Sequence, residues 1–237
     1  NGSAGVFLSK GTGRCALTEN GLGGLYVDSE CNVAIDGAEI SDNGGNGITI
    51  SSSKAVVKAI AVTSASSRIS SNAGDGVHVS LTHDGGVFSL TLEDTDCDGN
   101  GDDGVDVARS YTSGHFALEM NGVQSRFNTS SGVRIGDSSN IDAASLVGCD
   151  LSFNGAAGFL CGNEGSRITR TRGCSFTGNL LSGVSHHGSS TSSNQLLVKD
   201  CDLSSNGLNG LETFARGPRQ TVSIDGTFAS HNTGSGF

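Results

Sequence analysis

The chain has no tryptophan, one proline (Pro218) and one methionine, and aromatic residues make up 5% of its 237 positions. Without tryptophan the usual platform for stacking a sugar ring is missing, which weighs against a lectin-like surface. Cations are scarce as well. Fourteen Lys and Arg stand against 24 Asp and Glu, a net charge of −10 with no basic run, and this argues against a nucleic-acid partner. No apolar stretch is long enough to span a membrane. Helix formers such as Glu, Lys and Met are few, and no segment sustains a 3.6-residue apolar period, so an α-helical fold is excluded.

What the chain has in plenty is glycine, 37 in all, together with serine, threonine and asparagine. Asn1, Asn20, Asn43, Asn72, Asn100, Asn128, Asn154, Asn179, Asn206 and Asn232 each precede by four residues a glycine that is followed by an apolar residue. Their spacing of 19 to 29 residues is that of stacked repeat units, none of which can bury its apolar side alone. After each glycine the sequence alternates, as in Gly76-Val77-His78-Val79 and Gly104-Val105-Asp106-Val107, the mark of a strand with one buried face. A second alternating piece lies upstream, as in Leu90-Thr91-Leu92. A third apolar row is expected just before the asparagines: Ile40, Ile69, Phe127, Leu151, Phe176, Leu203 and Phe228.

Three short strands per turn and no helix predict an all-β, right-handed, single-stranded parallel β-helix of about nine coils. Residues 1–237 would form one rod about 45 Å long, at the 4.8 Å inter-strand spacing. The repeat resembles that of the pectate lyase-like superfamily, and the resemblance covers the whole chain. The motif N-x-x-x-G-h-x-h, with h apolar, identifies architecture and says little about chemistry. In such a stack Asn20, Asn43, Asn72, Asn100, Asn128, Asn154, Asn179, Asn206 and Asn232 form a ladder along the axis. Asparagine tolerates a left-handed turn, and the motif glycine is expected to supply a second turn that a Cβ would hinder.

The seven cysteines show no C-x-x-C or Cys/His zinc spacing. Cys149, Cys174 and Cys201 share one phase of the repeat and are expected as buried free thiols, while a Cys15–Cys31 bond remains open. The chain opens inside one repeat and stops inside another, with no cap sequence at either end. The expectation is a section of a longer chain, or units that associate end to end.

Asp96, Asp98, Asn100 and Gly101 copy the first half of an EF-hand loop, but the twelfth position is Val107 and flanking helices are lacking. A solvated acidic turn is one reading. A calcium cage using Asp98, Asp102 and Asp103 is the other, and nothing in the pattern requires a cofactor. Gly101-Asp102-Asp103-Gly104 also looks like the paired-aspartate element of polygalacturonases, yet the N-T-D, nearby G-H-G and R-x-K of that family are absent. The alginate epimerase signature is likewise missing.

The middle residues of the G-h-x-h strands should face outward in one row: Phe7, Tyr26, Thr49, His78, Asp106, Arg134, Leu160, Ser185 and Glu212. His78, Asp106 and Arg134 fall on consecutive coils, about 5 Å apart. Lyases and epimerases of the superfamily use such outward residues, an arginine or histidine removing a proton while cations neutralise the uronate. The plainer reading is a surface ladder of charge pairs, each contributing a few tenths of a kcal/mol. His83, His115 and Arg109, on nearby loops, would line the same face. Short loops and the lack of a full catalytic set lead to the expectation of a non-enzymatic extracellular or cell-surface rod, such as an adhesin shaft or filament. The alternatives are a polysaccharide lyase, hydrolase or epimerase acting on acidic glycans, and a phage tailspike-like attachment domain.

Overall fold

A computed structural model describes residues 5–9, 15–28, 32–52, 59–81, 87–109, 115–136, 142–162, 168–187, 194–214 and 219–237. Asn1, Cys31, His83 and Pro218 lie outside these residues, as do the side chains of Arg109 and His115. Among the described residues all regular structure is strand, and every strand pairing is parallel. The chain winds so that each turn adds one strand to each side of a solenoid.

The first side is a nine-stranded sheet running from Gly5–Ser9 to Gln220–Asp225. The second is an eight-stranded sheet built from the G-h-x-h segments, from Leu25–Asp28 to Leu211–Phe214. The third side has three short strands, Cys15–Thr18, Ala38–Ser41 and Arg68–Ser70. Beyond Arg68 it narrows to six successive single-residue bridges through Asp96, Gln124, Asp150, Ser175, Asp202 and Phe228. Counting asparagines does not distinguish these two kinds of turn.

Alternation within the strands fills the interior. Val77, Val79, Val105, Val107, Val133 and Ile135 are buried from the second sheet, and Leu90, Leu92, Leu118 and Met120 from the first. Phe88 and Phe116 stack inside with ring centroids 5.1 Å apart. Cys97, Cys149, Cys161, Cys174 and Cys201 are buried free thiols, and Cys15 is free as well. Cys149 donates its backbone N–H to the Cys174 sulfur at 3.4 Å, so the stacked cysteines pack as small apolar groups.

Two sequence expectations need correction. Phe127 and Phe228 are not in the interior row; they are 61% and 60% exposed, and Phe127 stacks on Phe153 outside, centroids 5.4 Å apart. Ser125 takes the inward place and satisfies its hydroxyl on the Gly132 carbonyl at 2.7 Å. The left-handed residue of the turn is also not the asparagine. It is the residue before it, in all nine described turns: Glu19, Asp42, Ser71, Gly99, Phe127, Phe153, Gly178, Ser205 and His231. A second left-handed corner closes the eight first-sheet strands from Asn32–Asp36 onward, at Gly37, Ser66, Asp94, Gly122, Gly148, Gly173, Asp200 and Gly226.

The reversed residue turns the asparagine side chain along the axis. Each asparagine donates both its backbone N–H and its amide to the Oδ1 of the next, for example Asn100 N and Nδ2 to Asn128 Oδ1 at 2.9 and 3.1 Å. The ladder is continuous from Asn20 to Asn232. Asn128→Ala therefore leaves the buried Asn100 N–H without a partner and should cost about 2 kcal/mol. Chemical denaturation measures this, and an unchanged unfolding midpoint would contradict the ladder's role.

The motif glycines do not adopt left-handed backbone either. They are glycines because the next coil comes too close. A Cβ on Gly132 would lie 2.7 Å from the Gly158 carbonyl oxygen and 2.9 Å from the Asn154 amide nitrogen. Asparagine and glycine thus form one device: the missing Cβ leaves room for the amide of the neighbouring coil.

Candidate functional site

The outward row of the second sheet is in register as expected from Tyr26 onward; Phe7 does not belong to it, because its strand lies in the first sheet opposite Ala34. His78 stands opposite Asp106, Asp106 opposite Arg134, and the row continues through Leu160 and Ser185 to Glu212. Its central part is not an exposed ladder of loose charges. Asp106 is 5% exposed and Asp103 1%, and both are drawn into one cluster with Asp75, His78 and Arg134.

A second stack, one residue before each motif glycine, builds the floor of this cluster. Asn46 Oδ1 accepts the Asp75 N–H at 2.8 Å, Asp75 Oδ1 accepts the Asp103 N–H at 3.0 Å, and Asp103 Oδ1 accepts the Ser131 N–H at 2.6 Å. The other oxygens of these carboxylates are thereby aimed at the outward row. Asp75 Oδ2 and Asp106 Oδ2 each lie 3.0 Å from His78 Nδ1. Asp103 Oδ2 and Asp106 Oδ1 are buried and make no hydrogen bond, and both face Arg134 Nη1 at 3.8 and 3.9 Å.

Geometry sets the protonation states. Hydrogen bonds donated to Asp106 and then Asp75 hold the His78 imidazole pKa up at about 9, so this side chain is a cation at neutral pH. Burial pushes Asp103 up to about 6, against the hydrogen bonds from Ser130 and Ser131 that favour its anion. A carboxyl poised near neutrality beside an imidazolium and a half-exposed guanidinium is a set of proton donors, acceptors and fixed cations.

Sequence reasoning missed Asp75. Its signal was available: it occupies the same phase as Asp103 and lies three residues before His78. The expected calcium residues are not brought together. Asp98 turns instead to Arg126, with Nη2 at 2.8 Å, while Asp102 and Asp103 gather with Asp75. Three carboxylates at this second place offer the oxygen donors a hard cation takes. The neighbouring Asp75–His78–Asp106 group brings two carboxylates and an imidazole nitrogen together in the same way.

Neither a protein-family model nor a curated protein matches the sequence. Solved structures do. The A-module of the mannuronan C-5 epimerase AlgE6 from Azotobacter vinelandii aligns with a TM-score of 0.52 at 18% identity, covering 90% of this chain and 56% of that one. The A-module of the mannuronan C-5 epimerase AlgE4 from the same organism aligns at 0.45 and 12% identity, covering 98% and 88%. The chain is a right-handed parallel β-helix protein. It spans little more than half the length of the AlgE6 module. The expectation of a non-enzymatic rod is corrected: the AlgE6 module, whose fold this chain shares, is an epimerase module and not a passive shaft.

One histidine of the β-helix stands apart from this cluster. His186 is fully buried between Cys161 and Thr213, with neither ring nitrogen hydrogen-bonded. Burial first, and the neighbouring His187 second, lower its pKa to about 4 from 6.5. Below pH 6.5 the unfolded chain takes up a proton that the fold refuses, so this contribution to stability is lost as pH falls toward 4. The loss should reach about 3 kcal/mol. Comparing the unfolding free energies of the native protein and His186→Leu from pH 7 to 4 tests this; parallel curves would contradict it.

Proposed function

We propose that the protein is an enzyme acting on an acidic glycan, moving a proton at the carbon next to a uronate carboxylate, as an epimerase or a lyase does. The observation that carries this reading is the outward cluster in which His78, flanked at 3.0 Å by Asp75 and Asp106, stands in register with Arg134 across the same carboxylates. The AlgE6 module, similar in fold, is named for C-5 epimerisation of mannuronan, a polymer of that class.

Arg134, 48% exposed, is the cation that a uronate carboxylate meets first. The His78 imidazolium supplies a second positive charge. Together they stabilise the enolate-like anion formed when the adjacent C–H bond gives up its proton. The proton acceptor is a carboxylate, since His78 is already protonated and Asp75 is committed to it. Asp103 is the assignment, because its Oδ2 lacks a hydrogen bond and its pKa lies near neutrality. Entry of the substrate carboxylate draws Arg134 outward and uncovers that oxygen. Return of a proton from the opposite side gives the epimer, whereas expulsion of the 4-O substituent gives the unsaturated lyase product. Polymers of this kind are met outside the cell, so the site of action is extracellular or at the cell surface.

The test is incubation with polymannuronate, polyguluronate and polygalacturonate, with a neutral glucan as control. Proton NMR reads the epimer ratio, and ultraviolet absorbance reads unsaturated ends. Turnover on a uronate polymer and none on the glucan is expected; no turnover on any uronate polymer would remove the proposal.

A further inference from the structure

The first sheet carries a charged patch on a side of the solenoid separate from the His78 cluster. Arg170 and Arg172, on Ile168–Arg172, and Lys199, on Asn194–Lys199, are all exposed and all point outward, since the residues between them, Thr169, Thr171 and Val198, are buried. Arg172 and Lys199 are register partners on adjacent parallel strands. Their Cα atoms are therefore about 5 Å apart, and Arg170 lies about 7 Å along the same strand. Like charges directly opposite on neighbouring strands oppose pairing. Only Lys199 is compensated, by Asp225 at 3.4 Å. Among the described residues neither Arg170 nor Arg172 has an ion pair or a side-chain hydrogen bond. Their register neighbours are Ser145, Val147, Leu197 and Lys199, none of them acidic, and among the described strand residues Glu119 stands two strands away on one flank and Asp225 two strands from Arg172 on the other.

A chain with 24 acidic and 14 basic residues has no shortage of carboxylates to set against this strip. Three cations concentrated on two strands are a local field that the net charge does not cancel, because screening confines each charge to about 10 Å. Uncommitted guanidinium groups match carboxylates in shape and can bind them in two-pronged fashion. We propose that Arg170, Arg172 and Lys199 form an exosite that holds an acidic polysaccharide through its carboxylates while another stretch of the polymer occupies the His78 cluster. The choice of polymer class rests on the function proposed above. The strip raises the residence of long substrates on a protein that otherwise repels them.

The experiment compares the native chain with the triple variant Arg170→Thr, Arg172→Thr, Lys199→Thr; threonine keeps a β-branched, outward-facing residue on each strand. Binding of polymannuronate is measured by calorimetry at low and high salt, in the Asp106→Asn background so that nothing turns over. Affinity should fall at least fivefold in the triple variant at low salt, with the difference shrinking at high salt. In the active background KM for polymer should rise by a similar factor with kcat changed less than twofold. A melting temperature equal to or above the native value shows that the strands are intact. Equal affinity in the two proteins would overturn the exosite while leaving the proposed reaction standing. Absence of both binding and turnover on polyuronates in the native chain would instead remove the functional reading beneath it. A DNA duplex that competes as well as polymannuronate would overturn the assignment to a glycan.

Discussion

Asp106→Asn is expected to lower turnover of a uronate polymer at least about 100-fold while the protein stays folded, since loss of a positioned acid–base or electrostatic group usually costs this much or more. The change is nearly isosteric, at a side chain 5% exposed, so the strand pairing to His78 and Arg134 survives. What it removes is the charge behind the first of the two hydrogen bonds that keep His78 protonated. The imidazole pKa, about 9 in the native protein, should therefore fall toward 6.5. NMR titration of the ring protons reads this apart from activity. Lost turnover with an unmoved His78 titration would mean that Asp106 works by some route other than the one described here.

The sign of the accompanying pH effect follows. A histidine raised by its partners stabilises the fold fully below pH 6.5 and loses that contribution as pH rises through about 9. Asp106→Asn should thus lose most of its stability relative to the native protein at neutral pH and below, and little near pH 10.

Gly132→Ala is the second large effect expected, this time on stability. A methyl group there meets a carbonyl oxygen at 2.7 Å, an amide nitrogen at 2.9 Å and the Ser125 carbonyl oxygen at 3.0 Å, all belonging to main chain or ladder and none free to swing away. Separating the coils to make room stretches the bonds on either side, Val133 N to the Gly158 carbonyl and Asn128 Nδ2 to Asn154 Oδ1. A loss of about 3 kcal/mol or more is expected. Substitution at Gly99, where a Cβ meets nothing within 4 Å and the backbone is left-handed at φ +65°, isolates the cost of conformation alone. If Gly132→Ala proves no worse than Gly99→Ala, close coil approach is not why the motif glycine is there.

The comparison of these two glycines shows what the sequence could and could not convey. The solenoid itself was legible, because ten asparagines at nearly constant spacing and alternating triplets leave little choice of fold. The identity of the ladder residues was legible for the same reason. How the ladder is built was not: spacing does not reveal that the residue before the asparagine reverses, or that the glycine serves a neighbour 26 residues on. Phe127 was misplaced by two positions for this reason, since Ser125 holds the inward place and the reversed backbone sends the Phe127 side chain outward.

The site was half legible. His78, Asp106 and Arg134 follow from coil phase, and they are together. Asp75 occupies an unspecified position between the motif asparagine and glycine, and only the stacking of Asn46, Asp75, Asp103 and Ser131 gives it a direction. The charge of His78 depends on two carboxylates at 3.0 Å, a distance no spacing rule supplies. Arg170, Arg172 and Lys199 also escape a search for basic runs, because a full coil of sequence separates the two arginines from the lysine.

The most direct test of the central claim is solvent deuterium incorporation. The native protein and Asp106→Asn are incubated with polymannuronate in heavy water, and proton NMR of the recovered polymer follows the hydrogen on C-5. Loss of that signal with the native protein, at least about 100-fold faster than with the variant, is the predicted result. A C-5 signal that persists with the native protein at high enzyme concentration, on this and on the other uronate polymers, would contradict the account.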